Sequence, residues 1–217
     1  VSTKTHAAQG LRVETREGAA VESALGPLAE LRIAVFYEFP YLYEGTQAYE
    51  EQYLQTYVRS ARSQVVLVWD GAKVVGASTV IPLLEAPSEM QGPFVDAGFD
   101  LARVDYFGES VLLPEFRGRG LGLRFFELRE AHARRQGLSI CAFCAVERSV
   151  QHPLCPPDYV PLDSFWAKRG YHKFPQLRAQ LTWQDRGESE PSAKDMTFWI
   201  KHLDQVAHDT EQEQSGV

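Results

Sequence analysis

Apolar and polar positions alternate with a period of two from Leu11 to Arg16, which predicts a first strand. From about Ser23 to Tyr37 the period lengthens, and Leu28, Leu31, Val35 and Phe36 fall on one face of a helix. Gly26-Pro27 is an alternative start for it, because proline suits the first helical position. A second helix is predicted over about Thr46 to Arg62, with Tyr49, Tyr53, Leu54, Tyr57 and Val58 on one side. Val65 to Trp69 and Lys73 to Pro82, joined at Asp70-Gly71, read as a hairpin with a mirror-image turn. Residues 83–103 are loop-like, with a short helix near Phe94 to Phe99. Val104 to Leu113 reads as one strand stopped by Pro114, and a helix opens at Leu121, with Leu121, Phe125, Leu128 and His132 at helical spacing and Gly137 as its stop. Ser139 to Val146 is a buried strand, and Asp158 to Lys168 a helix ended by Gly170. Arg178 to Trp183 and Met196 to His202 are closing strands around a polar connection, Gln184 to Lys194. The last dozen residues are polar and expected to be disordered. The order is mixed α/β, without internal repeats.

Between the central strand and its helix lies Leu-Leu-Pro-Glu-Phe-Arg-Gly-Arg-Gly-Leu-Gly, residues 112–122. Gly118, Gly120 and Gly122 let the backbone approach a ligand and turn its N–H groups inward, where the helix dipole adds a positive end. A diphosphate is the expected occupant. A Walker A loop would need Lys-Ser/Thr where Leu123-Arg124 stands, and a dinucleotide fingerprint would need glycine at Leu123. Neither ATP nor NAD is favoured.

Composition narrows the classes further. At 217 residues, the chain fits one sizeable core and reads as a single domain over 1–217, its core about 10–203. The formal charge of −7 argues against a nucleic-acid surface. Six arginines against two glutamates between Arg117 and Arg135 reverse that sign locally, to a net +4. Arg117 and Arg119 within the turn suit a polyanion. For Arg129, Arg134 and Arg135, steering of that polyanion and a solvated helix face are both open. The longest wholly apolar run, Ile140 to Val146, is too short to span a bilayer, and the amino end lacks a basic-then-apolar signal pattern, so a cytoplasmic location without membrane partners is expected.

The turn resembles the coenzyme A motif of the GNAT superfamily of N-acetyltransferases, Arg/Gln-x-x-Gly-x-Gly/Ala, met by Arg117, Gly120 and Gly122 after an apolar strand ending at Pro114. Trp166-Ala-Lys-Arg-Gly-Tyr171 also looks like the family's late helix, and the order of elements is similar over about residues 10–203. The resemblance implies a central, twisted, mostly antiparallel sheet of about seven strands flanked by about four helices. It implies acetyl-CoA as cosubstrate and an amine-bearing acceptor. Val111, Leu112, Leu113, Arg117, Gly118, Arg119, Gly120, Leu121 and Gly122 would be the cofactor contacts.

Acetyl transfer to an amine needs a base. Glu109 is the leading candidate, isolated in an apolar strand where alternation places it with Phe107 and Val111 unless a bulge intervenes; a carboxylate paired with a basic residue is the alternative. Asp105 is the fallback base. A backbone N–H near Leu112 or Leu113 would stabilise the oxyanion. The family often uses a late-helix tyrosine as acid; Trp166 stands there, and Tyr159 matches a frequent asparagine. Tyr159, Tyr171 and His152 are the substitutes, or free CoA thiolate leaves into solvent without an acid; Tyr171 replaces a family phenylalanine that normally packs. Tyr37, Phe39, Tyr41 and Tyr43, with Glu38 and Glu44 beside them, would suit a cationic acceptor by cation–π attraction, or form a packing link. Cys141-x-x-Cys144 followed by His152-x-x-Cys155 invites a zinc reading, but a separation of three within a strand points the first two sulfurs to opposite faces, so no metal is expected. The rival functions are a CoA-binding sensor and a zinc-stabilised interaction protein. A homodimer stays open, as do the acceptor and the acyl length.

Overall fold

A computed structural model describes residues 10–203. The polar tail expected to be disordered lies outside the described residues, as do residues 1–9 of the amino end, where a signal pattern would lie. The sheet grows from the valine-rich hairpin of β2 (Gln64–Asp70) and β3 (Lys73–Pro82). Asp70 pairs with Lys73, so the two central turn residues are Gly71 and Ala72, one residue later than Asp70-Gly71 suggested. Gly71 takes φ 58°, a region open to glycine. The first strand, β1 (Arg12–Glu17), pairs antiparallel with β2 and forms one edge.

The predicted strand Val104–Leu113 is split into β4 (Val104–Tyr106) and β5 (Ser110–Leu112). Both pair with β3, but only β4 also pairs with β6 (Ile140–Val146), and that pairing is parallel. The sheet ends with β8 (Ser192–His202) and β7 (His172–Trp183), both longer than predicted. Eight strands thus run in the order β1-β2-β3-β4-β6-β8-β7, with β5 on β3.

Among the described residues, five α-helices cover the two faces. On one lie α1 (Leu25–Phe36), α2 (Gln47–Arg59) and α3 (Ser88–Asp96), packing Leu28, Leu31, Leu54, Tyr57, Met90 and Phe94 into a single core. On the other lie α4 (Leu121–Arg135) and α5 (Asp163–Ala167), over Phe107, Phe126, Phe143 and Trp199. Three expectations need correction. Tyr49 is exposed instead of sharing the apolar side of α2. The short helix placed at Phe94–Phe99 begins at Ser88, so Phe94 lies near its end. The helix placed at Asp158–Lys168 is confined to 163–167, since Pro161 biases Val160 before it toward extended backbone. No described helix is long and apolar enough to cross a membrane.

Gly108 sets the break between β4 and β5. A Cβ there would lie 2.0 Å from the Tyr57 hydroxyl and 2.6 Å from Thr79 Oγ1, two groups that are hydrogen-bonded to each other at 2.9 Å. Gly108→Ala is expected to cost about 3 kcal/mol by overpacking and loss of that bond, a fall that chemical denaturation would measure.

Candidate functional site

Around Gly108 the chain changes faces. Phe107 packs under α4, whereas Val111 joins the core beneath α1 and α2. The expected alternation of Phe107, Glu109 and Val111 on one side therefore fails, and Glu109 points toward α1. Its backbone is pinned from three directions: Thr79 N donates to Glu109 O at 3.0 Å, Glu109 N donates to Thr79 Oγ1 at 3.1 Å, and Gly108 N donates to Thr79 O at 3.2 Å.

The Glu109 carboxylate is buried, with Oε2 2.6 Å from Arg32 Nη1 and Oε1 without a hydrogen-bond partner. Arg32 also pairs with Glu50, so one buried guanidinium serves two carboxylates. Burial raises the Glu109 pKa above the ordinary carboxylate value; Arg32 opposes the rise and Glu50 adds to it. Arg32 lies under the rings of Tyr53 (4.6 Å) and Phe36 (5.0 Å), and Phe36 meets Tyr41 at 4.6 Å. Phe36, Tyr41 and Tyr53 are each half-buried, forming an aromatic rim above the acidic cluster.

The sequence concealed most of this cluster. Arg32 follows Leu28 and Leu31 in the α1 stripe, and Glu50 precedes Tyr53, Leu54 and Tyr57 at spacings of three, four and seven in α2. A charged residue in a core-facing position was the available signal.

β5 bonds to β3 through alternate residues: Glu109 O and Leu113 N are engaged with Thr79 N and Val75 O. Antiparallel geometry then directs the Val111 main chain to β3 and those of Ser110 and Leu112 to the opposite edge. That edge faces a gap, because the last bond from this segment to β6 is Phe107 N to Ala142 O at 2.8 Å, and β5 itself has no β6 partner. Of the expected strand contacts, Leu112 presents its main chain to the gap, whereas Val111 and Leu113 do not. Ser110, which the sequence did not single out, presents its N–H there.

The gap leads to the glycine turn. Gly118 and Gly120 have φ of 74° and 79°, and Gly120 opens α4 without a side-chain cap, leaving the first N–H groups of the helix unclaimed. A Cβ at either glycine would meet open space, so conformation is what requires them. At Gly122 a Cβ would lie 3.4 Å from the Phe165 ring of α5, an ordinary van der Waals contact. Leu121 is a buried anchor of the helix. Arg117 donates to Leu112 O at 3.2 Å and lies 3.5 Å from Glu38. Arg119 donates to Glu115 O at 2.9 Å. Glu38 thus faces the turn, not the aromatic residues with which it was grouped.

The four aromatic residues proposed as an acceptor wall separate. Tyr41 lies on the rim, its phenol pKa pushed up by burial, with the charges of Arg32 and Glu109 in range. Phe39 packs edge-on against Tyr159 at 4.6 Å and beside His152 at 6.1 Å. Tyr43 lies near Glu50, which adds to burial in raising its pKa. Tyr37 faces outward under Arg186, at 4.7 Å. The loop is held by Arg148, which donates to the carbonyls of Pro40 (2.9 Å) and Tyr41 (3.1 Å) while forming a two-point pair with Asp185 at 2.6 and 3.1 Å.

Three chemical candidates are displaced. Asp105 is fully buried on the α4 face, 2.7 Å from His132 Nδ1, and cannot act as a base beside Glu109. Tyr171 is fully buried among Phe107, Phe126 and Phe143, and its hydroxyl donates to Glu130 at 3.2 Å; as an acid it has no access to the gap. Arg129, for which a solvated face was one expectation, is 2% exposed. Cys141 and Cys144 lie on opposite faces of β6, so their sulfurs do not converge.

No protein-family model and no curated protein matches this sequence. Solved structures match the fold. The yncA protein of Salmonella typhimurium, assigned as an acetyltransferase and solved with its cofactor acetyl-CoA, superposes with a TM-score of 0.54 at 13% identity, over 91% of this chain and 96% of its own. Ribosomal-protein-alanine N-acetyltransferase of Brucella melitensis gives 0.56 at 14% identity, over 88% and 99%. A Desulfovibrio desulfuricans protein assigned to the GNAT acetyltransferases gives 0.54 at 12%, over 89% and 100%.

Proposed function

We propose that a chain with this GNAT fold transfers an acetyl group from acetyl-CoA to a primary amine, the amine attacking the thioester directly in a ternary complex. The observation that carries the reading is the gap between β5 and β6. It has main-chain N–H groups at Ser110 and Leu112 without a strand partner, the glycine turn at one end and a buried carboxylate of raised pKa at the other.

The diphosphate of the cosubstrate would take the N–H groups around Gly118 to Gly122, with Arg117 and Arg119 at hand, and its pantetheine arm would pair with Leu112. The thioester carbonyl would receive the Ser110 N–H as negative charge develops on its oxygen. Glu109 would take the amine proton at Oε1 while Arg32 fixes Oε2. Tyr159, half-buried against Phe39 and protonated at neutral pH as any phenol of ordinary or raised pKa is, is the candidate acid for the departing thiolate. The acceptor would enter over the rim of Phe36, Tyr41 and Tyr53.

Trp166 favours a second reading, as a CoA-binding sensor. It packs at 5.1 Å on Phe143 and 5.2 Å on Trp199 and offers no phenol at the late helix. Calorimetry with acetyl-CoA, followed by thiol release over a panel of primary amines, separates the readings. Binding with turnover is expected. Binding without turnover on any amine would favour the sensor, and no binding would end both.

A further inference from the structure

Arg129 of α4 is a buried cation that the chemistry above does not use. It is 2% exposed and, among the described residues, forms no ion pair with a carboxylate. Its guanidinium lies over Phe107 at 4.3 Å and Phe126 at 5.0 Å. Its hydrogen bonds go to two carbonyls, Phe125 O at 3.2 Å from Nε and Glu109 O at 3.3 Å from Nη1. Burial lowers its pKa, to about 10, which still leaves it charged at neutral pH. An unpaired charge at such depth is costly unless the surrounding dipoles are aimed at it.

The second of those carbonyls matters because of what is attached to it. Glu109 C=O and Ser110 N–H belong to one peptide unit. Its oxygen already accepts from Thr79 N at 3.0 Å, and its N–H is the one directed into the gap. Electron density drawn to the oxygen of an amide leaves its N–H a stronger donor, and hydrogen bonds in series polarise one another. We infer that Arg129 is a positioning residue for acyl transfer: from behind the sheet it fixes the Glu109–Ser110 peptide and strengthens the Ser110 N–H as the donor to the thioester oxygen. It touches neither cosubstrate nor acceptor. The inference rests on the acetyl-transfer reading for its consequence, and on this chain's geometry alone for the polarised peptide.

The test compares Arg129→Met, which keeps length and apolar contacts, with Arg129→Lys, which keeps the charge. In ligand-free protein the Ser110 amide proton is expected to resonate upfield in the Met variant relative to wild type, with the amides at the far end of β3, from Lys73 to Val75, unmoved. In the acetyl-transfer assay Arg129→Met is expected to lose about tenfold or more in kcat at unchanged acetyl-CoA affinity, with Arg129→Lys recovering most of it. With carbonyl-labelled acetyl-CoA bound, the infrared stretch is expected at lower frequency in wild type than in water. Should Arg129→Met fail to fold, the wild-type stretch and the Lys variant decide: an unshifted carbonyl, or a lysine variant as poor as an unpolarised peptide implies, overturns the inference. An unchanged Ser110 amide with unchanged kcat in Arg129→Met overturns it as well. If acetyl-CoA does not bind at all, the acetyl-transfer reading falls, and the Ser110 amide shift still decides whether Arg129 polarises the peptide.

Discussion

Glu109→Gln is expected to lower kcat for acetyl transfer by about 10²- to 10³-fold while leaving acetyl-CoA affinity unchanged. The amide keeps the shape of the carboxyl group and cannot accept the amine proton. Arg32 retains Glu50 in the variant, so one neutral pair replaces a guanidinium shared by two carboxylates, and no buried cation is left alone. The sign of the pH dependence follows from the raised pKa. A carboxyl that binds its proton more tightly when folded favours folding at low pH, and that contribution is lost as pH rises through its folded pKa. The glutamine variant avoids this loss, so its melting temperature at neutral pH is expected to equal or exceed that of wild type. Activity is expected to run the opposite way, with kcat/KM rising as Glu109 deprotonates and the acid limb above the ordinary carboxylate range. A pH–rate profile and a melting curve on the two proteins check both statements. An unchanged acid limb in the glutamine variant would remove Glu109 from the mechanism.

The second large effect is expected at the glycine turn. Gly120→Glu forces an L side chain into φ 79° and sets a carboxylate where the diphosphate would lie. The loss in acetyl-CoA affinity should be about 100-fold or more, from like-charge repulsion added to displaced N–H groups. Folding should suffer much less, since an acidic group at a helix N-terminus is favourable and a Cβ at this position meets open space. Gly120→Ala separates the contributions, because it carries the strain without the charge and should show a smaller loss. Calorimetry of the three proteins gives the comparison.

These effects differ in how far the sequence could announce them. The turn was legible because its requirements are local: Gly118 and Gly120 need positive φ, Pro114 stops a strand, and Leu121, Phe125 and His132 repeat at helical spacing. Glu109 was legible as a residue but not as a direction. The face it occupies depends on the break at Gly108, which the Tyr57 and Thr79 hydroxyls impose from distant positions in the chain. The glycine inside the strand was the sign of it. Arg32 and Glu50 were hidden by the habit of assigning charges to solvent, and each becomes intelligible only once both helices are docked. Arg129 was hidden for the same reason. In a helix bearing six arginines with its turn, nothing in the spacing distinguishes the one that packs on Phe107 from its exposed neighbours Arg134 and Arg135.

The clasp formed by Arg148 and Asp185 divides the labour of the chain. The residues that would grip a thioester carrier all precede the end of the long helix at Arg135, whereas the rim that would meet an acceptor is moored by residues contributed some hundred positions downstream of the loop it holds. On the acetyl-transfer reading, changes around Asp185, between the final two strands, would redraw which amine is admitted without touching the residues that would hold the acyl donor.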